Sequence, residues 1–296
     1  MTTQRAILLS SMLATVVTLV QSAQAAPAYK ILKQAVYAEI DGATLSLDVV
    51  VPTGKTNGLG IVDVASGAGH VDRAKISDAD QARIAEILCG RGYTLFVVKP
   101  GPTTKYSVID MADHVQRAIV FVKNNADNYK IDPDALGLLS TGAGVHLVAL
   151  VAVTATGETA VKAAGVYFPP TDYRQKDVQK LYIQSDNKAW EEVSQQAFPG
   201  IGIPALSASD DVEAAARNPQ TKMPDVSPNC PRFLIVHGNA DPFVPRNNSN
   251  LFFGAMRDAG RATDLTVKRP GGDPGPTIRA EVTTLANWFD KQLTPE

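Results

Sequence analysis

The chain has 296 residues, 45% of them hydrophobic and 20% charged, with 28 Lys and Arg against 30 Asp and Glu. These proportions belong to an ordinary globular protein and exclude a disordered or collagen-like chain. The formal charge of -2 is spread without long single-sign runs. It offers no basic stripe to a phosphate backbone, so nucleic-acid binding is not expected.

The first predicted element is a leader. Arg5 is the only charge ahead of an uncharged, largely apolar stretch from Ala6 to Val20, and Ser22-Ala23-Gln24-Ala25 follows. That order fits a secretory signal over residues 1–25, cleaved near Ala25 or Ala26. As a helix the apolar stretch would reach roughly 23 Å, short of the roughly 30 Å hydrocarbon core, so a permanent span is the weaker reading. The expectation is export to a secreted or periplasmic location with no stable membrane insertion; an uncleaved N-terminal anchor is the alternative.

From residue 26 to residue 296 the pattern reads as one α/β domain. Ala35 to Ile40 and Thr44 to Val51, joined through Asp41-Gly42, predict an antiparallel hairpin. Further strands are predicted at Gly60 to Ala65, Tyr93 to Val98, Leu136 to Leu139, Ala163 to Phe168, Phe233 to Val236 and Leu265 to Val267. Helical spacing lies between them. Val108, Ala112, Val115, Ile119 and Val122 step by four and three, as do Val282, Leu285, Phe289 and Leu293. Strands alternating with helices predict an eight-stranded, mostly parallel sheet covered on both faces. The polar stretch 172–230, rich in Pro and Gly, reads as a cap-like insertion between the sixth and seventh strands. Cys89 and Cys230 attach several strands apart, too far for a disulfide, and two free thiols are expected.

The chemistry-bearing motifs sit at predicted strand ends. Ile131-Asp132-Pro133-Asp134-Ala135-Leu136-Gly137-Leu138-Leu139, followed by Ser140-Thr141-Gly142-Ala143-Gly144-Val145-His146-Leu147, resembles the nucleophile-elbow region of secreted α/β-hydrolase esterases. Within them it resembles the acetylxylan and feruloyl esterase-like (BD-FAE-like) branch. The resemblance runs from about Tyr37 to Leu293. It includes Phe168-Pro169-Pro170-Thr171-Asp172 and His237-Gly238-Asn239-Ala240-Asp241-Pro242-Phe243-Val244-Pro245. It implies an α/β-hydrolase fold and a carboxylic-ester hydrolase ancestry.

An active elbow of this kind reads G-x-S-x-G, with the serine on a strained strand-to-helix turn. In this chain the five positions are Ser140, Thr141, Gly142, Ala143 and Gly144, so glycine holds the nucleophile position. Glycine accepts unusual backbone angles without the roughly 1 to 3 kcal/mol that a side chain would suffer there. The triad order of the fold is serine, acid, histidine. The four histidines are His70, His114, His146 and His237, and none follows Asp241. The resemblance puts Asp273, in Pro270-Gly271-Gly272-Asp273-Pro274-Gly275-Pro276, at the histidine position. A carboxylate ionised near neutral pH has no N–H to orient against Asp241 and cannot shuttle the proton as imidazole does. Asp241 holds the family's acid position, and as a turn residue after a strand it also has a purely structural reading.

Ala65-Ser66-Gly67-Ala68-Gly69-His70 stands where the oxyanion loop follows the third strand. Ser66 or Gly67 with Ala143 would present two backbone donors to a carbonyl or carboxylate oxygen; a Gly-rich turn with no ligand is the equal alternative. His70 alone is expected to reach the site mouth. Gly69 and Gly275 stand where relatives often carry bulky aromatics, which implies a wider or less ordered pocket. His146 reads as packed core, His114 as a helix-boundary residue and His237 as structural.

Three readings follow. The first is a catalytically impaired esterase-fold protein that keeps a pocket for a small ester, carboxylate or carbohydrate-derived ligand, with no cofactor and no resident metal. The second is an active esterase with Ser140, Thr141 or Ser66 as relocated nucleophile and His70 as base. The third is a cation site built by Asp241 and Asp273, with neutralisation by Arg246 or Arg269 as its simpler competitor.

Overall fold

The computed structural model describes residues 27–32, 34–64, 79–101, 105–106, 108–140, 144–167, 169, 226–239, 246–268 and 278–294. In chain order these form β1 (Tyr29–Ile31), β2 (Ala35–Ile40), β3 (Ala43–Pro52), β4 (Gly60–Val64), α1 (Ala79–Gly90), β5 (Thr94–Val98) and α2 (Val108–Asn124). A short α3 (Ala126–Tyr129) follows, then β6 (Leu136–Ser140), α4 (Gly144–Val153), β7 (Ala163–Tyr167) and β8 (Arg232–Gly238). The last elements are α5 (Asn247–Asp258), β9 (Thr263–Lys268) and α6 (Ile278–Leu293).

The nine strands among the described residues join one sheet, in the order β1-β3-β5-β4-β6-β7-β8-β9 with β2 also on β3. The hairpin arm is longer than the alternation from Ala35 suggests. Tyr29, Lys30 and Ile31 pair with Pro52, Val51 and Val50, and the Leu32 N–H donates to the Val49 carbonyl at 2.7 Å. β1 and β2 are thus two pieces of one outer arm against β3, with a further register shift between Val36 and Ala38. Three residues are too few to show a period, which is why β1 escapes the sequence pattern. The turn Asp41-Gly42 has positive φ at both residues, 49° and 71°, as a two-residue hairpin loop of this twist requires.

From β5 across to β9 every neighbouring pair is parallel. Each residue of β4, β5, β6 and β7 is buried, as expected of parallel strands covered on both sides. One cover is α2, α4 and α5. Their Val115, Ile119, Val148 and Phe252 meet Val62, Phe96, Leu138 and Ile235 of the sheet in a single apolar cluster. The opposite cover is α1 and α6, whose Ile84, Leu88, Leu285 and Phe289 meet Ile61, Leu95, Leu139 and Leu234. The stripe Val282, Leu285, Phe289 and Leu293 is wholly buried, as its spacing predicts. α4 is buried on every residue because the sheet covers one side and α2 the other.

Two strand glycines let α6 seat closely. A Cβ on Gly137 would stand 2.5 Å from Ile61 Cδ1 and 3.0 Å from Phe289 Cε1, and one on Gly165 would collide with Leu285 Cδ1. At the edge where the parallel strands begin, the Arg91 guanidinium and the Tyr93 hydroxyl both donate to Asp290 of α6, at 2.5 and 2.7 Å.

His114 departs from expectation. Its helix position reads as a boundary, yet the residue is only 2% exposed. Its Nδ1 lies 2.7 Å from the Pro100 carbonyl, and its ring stands edge-on to Tyr106 at 4.6 Å. The hydrogen bond satisfies the polar end of the ring, which allows the burial. The insertion 172–230 lies outside the described residues except for Val226–Cys230. There the Ser227 hydroxyl donates to the Ala155 carbonyl at 2.6 Å, tying the segment to the end of α4.

Both thiols are free and buried, on opposite sides of the sheet: Cys89 in the cluster with α1 and α6, Cys230 in the other. Burial, and for Cys89 also the nearby Glu86 carboxylate, pushes each from an ordinary value near 9 up to about 12. At pH 8 this leaves about one thiolate in ten thousand. The native protein should therefore resist a thiol-disulfide reagent and release two equivalents only on unfolding. The unfolded chain loses these protons near pH 9 while the folded chain holds them to about 12, so stability should fall as pH rises through that window. Gly165→Ala should lower stability by about 1 to 3 kcal/mol in urea denaturation, because Leu285 must move. Gly157→Ala, with open space around the new methyl, should not lower it.

Candidate active site

Parallel pairing brings the carboxyl ends of β4, β6, β7, β8 and β9 to one edge. Leu139 is opposite Asp63, Ser140 opposite Val166, Tyr167 opposite Val236, and Gly238 opposite Lys268. Each predicted site residue follows one of these ends. Ser66, Gly67 and His70 come after Val64; Thr141, Gly142 and Ala143 fill the three positions between β6 and α4; Asp241 follows β8, and Asp273 follows β9. These residues lie outside the described residues, as do Gly69, Gly275 and Arg269. The described geometry is that of the frame around them. With neighbouring strands about 4.8 Å apart, the ends of β6 and β8 are separated by about 10 Å, and β9 lies one strand further on.

The passage from β6 to α4 is as short as a nucleophile elbow demands: the strand ends at Ser140 and the helix begins at Gly144. The first turn of α4 has backbone N–H groups without helical acceptors, and its dipole favours negative charge at the same edge.

Ser140 closes the strand end. It is fully buried, and its hydroxyl donates to the Val64 carbonyl at 2.7 Å. The β4–β6 ladder extends to Asp63 and Leu139, so this side chain satisfies the next carbonyl and pins the strand before the oxyanion-loop position to the strand before the elbow.

The described residues flanking Asp241 are braced against one another. His237 of β8 is fully buried, with Nδ1 2.6 Å from the Ser249 hydroxyl of α5. Arg246, just before α5, donates to Asn239 Oδ1 at 3.1 Å. His237 is thereby committed to structure, as expected. His146 is 2% exposed within α4, in keeping with a core residue. Asp63, 2% exposed near the end of β4, is a buried carboxyl group that the sequence reading missed. The signal was available, since it is the one charge in the run Gly60-Ile61-Val62-Asp63-Val64.

Among the described residues no group of three or more His, Cys, Asp or Glu side chains is arranged to hold a metal ion. No helix among them is long and apolar enough to cross a membrane.

The strand order, the two helical layers and the strand-to-helix passage at β6–α4 define an α/β-hydrolase fold. Comparison with known proteins agrees. The BD-FAE family model matches residues 47–256, and the chain belongs to that family. It is 27% identical over 186 residues to esterase LipQ of Mycobacterium tuberculosis, an alignment covering 58% of this chain and 41% of that protein. It is 22% identical over 244 residues to a probable isoprenylcysteine alpha-carbonyl methylesterase, ICMEL1, of Oryza sativa subsp. japonica, covering 74% of this chain and 52% of the relative. The chain thus spans about half or less of the length of these curated relatives. Among solved structures, a truncated carbohydrate esterase from gut microbiota superposes with a TM-score of 0.66 at 20% identity, covering 91% of this chain and 98% of that one. Carboxyl esterase 2 of the fungus Tuber melanosporum gives 0.69 at 13% identity, covering 92% and 90%. At such identities the structural matches speak to the fold alone.

Ser140→Ala should lower stability by about 1 to 2 kcal/mol in chemical denaturation, since the fully buried Val64 carbonyl loses its side-chain donor.

Proposed function

We propose that this esterase-like α/β-hydrolase has lost ester hydrolysis and acts as a ligand-binding protein. Its ligand would be a small ester, carboxylate or carbohydrate-derived molecule held at the carboxyl edge of the sheet. One observation carries the reading: Ser140-Thr141-Gly142-Ala143-Gly144 has glycine where the resemblance implies the attacking serine, and no histidine follows Asp241, the resemblance implying Asp273 at that position. Glycine has no side-chain oxygen to attack a carbonyl, and an aspartate offers no N–H to orient against Asp241 and is a much weaker base than imidazole. In a serine protease the loss of either group alone lowers kcat on the order of a millionfold.

The frame supports the reading in two ways. The hydroxyl of Ser140, the last residue described before the elbow, already donates its proton to Val64 and is sealed from solvent. His114, His146 and His237 are each buried in the fold. The relocated-nucleophile reading therefore falls back on Thr141 or Ser66 with His70, and no observation favours it. Binding without hydrolysis needs only the backbone donors after β4 and at the start of α4, which do not depend on the two lost side chains. Export of the mature protein belongs to the same proposal and rests on the N-terminal segment.

The test is a pair of measurements. The purified protein should not be labelled by a fluorophosphonate and should not turn over short p-nitrophenyl esters. The double variant Gly142→Ser/Asp273→His should gain both properties. Stoichiometric labelling or turnover by the unaltered chain would falsify the proposal.

A further inference from the structure

Exposed apolar side chains gather on the outer arm of the sheet. Of the five large ones among the described residues, Ile31, Leu32 and Val36 fall in the short run 31–36, at 48%, 40% and 49% exposure. The other two, Ile109 and Leu251, stand singly on α2 and α5. Single exposed apolar residues are ordinary, whereas a cluster marks a contact. β1 and β2 pair only with β3, so the arm is the rim of the sheet. Ile31 is opposite Val50 and Val36 opposite Ser46, on one face, while Leu32, whose N–H meets the Val49 carbonyl, lies by alternation on the other. The apolar groups therefore wrap the rim and do not extend either core. On the first face Asp48, between Ser46 and Val50, is neutralised by Lys99 at 2.7 Å.

Charge supplies the second observation. Lys30, exposed in β1, and Lys33 are the only charged residues between Arg5 and Glu39. Glu86 of α1 comes near, accepting from the Ala28 N–H at 3.2 Å; the α-ammonium group created by leader cleavage near Ala26 offsets it. The arm is thus a basic and apolar run, free of acidic residues, in a chain whose formal charge is -2.

A strand from a second copy and a bilayer surface are the two occupants that suit such a rim. The arm opposes the first. Its strand is interrupted after Ile31, and its register shifts again between Val36 and Ala38; irregularity and lysine are what keep one sheet edge from adding to another. Apolar side chains set among lysines are instead what an anionic lipid interface takes up. The unpaired backbone of a rim requires a shallow contact, among the head groups and not in the hydrocarbon core. We propose that the rim formed by β1 and β2 rests on an anionic phospholipid membrane surface. The contact is reversible and needs neither a spanning helix nor the chemistry of the elbow.

The chain from Ala26 onward carries every described element and is the protein to test. At low ionic strength it should co-sediment with vesicles of equimolar phosphatidylglycerol and phosphatidylcholine, and about tenfold less or weaker still with phosphatidylcholine alone. Its net charge is negative, and loss of Arg5 with the leader lowers it further, so attraction to anionic vesicles must come from a local patch. The triple variant Ile31→Ser/Leu32→Ser/Val36→Thr should lower the partition coefficient by about tenfold or more, with an unchanged thermal midpoint because the three side chains are exposed. Lys30→Gln should lower it by about fivefold. Absence of binding to the anionic vesicles, equal binding to both vesicle types, or full binding by the triple variant would each overturn the proposal. So would a dimer in solution that the triple variant splits, which would assign the rim to a second copy.

Discussion

A parallel sheet covered on both faces leaves its chemistry nowhere to go but the strand ends. In this chain every residue of β4, β5, β6 and β7 is buried, and the helices above and below seal both surfaces with separate apolar clusters. Side chains within such strands can pack but cannot meet a ligand. At the carboxyl ends the backbone leaves the ladder, and carbonyl and amide groups are released from pairing together. This is the crevice that open α/β sheets use for ligands. The position of the site is thus settled by packing before any catalytic residue is considered. The fold can therefore keep a pocket after the chemistry in it has changed.

The same constraint holds the frame independently of the triad positions. Ser140 to Val64, His237 to Ser249 and Arg246 to Asn239 hold the strand ends in place, and none of these bonds involves a triad position. A serine at an elbow occupies strained backbone. Glycine at that position removes both the reacting oxygen and the strain, so on the proposed reading the loss of chemistry carries no structural penalty. What remains is a helix N-terminus beside a buried, cross-braced sheet edge, on the proposed reading a place where an anion or a carbonyl oxygen can be held without being transformed.

Much of this was legible in the sequence because periodicity reports burial. The stripes of α2 and α6 and the apolar runs of the parallel strands follow directly from the two-sided cover, and the Asp41-Gly42 turn follows from its positive φ angles. The remainder was not local. β1 is too short to show a period, and its pairing depends on β3, some twenty residues further along the chain. The burial of His114 depends on a carbonyl from the segment after β5 and on the Tyr106 ring, neither of which its helical position reveals.

The histidine inventory brings these points together. A proton shuttle needs an imidazole that reaches solvent or substrate, and packing has claimed His114, His146 and His237, each 2% exposed or less. His237 is committed to Ser249 and His114 to the Pro100 carbonyl. To free either for general-base work at the elbow would break a buried hydrogen bond and leave a polar group stranded, at about 1 to 3 kcal/mol each. On the proposed reading, the described residues therefore offer no ready replacement for the imidazole of an active relative. Compensation from within would have to come from His70, beyond the end of β4.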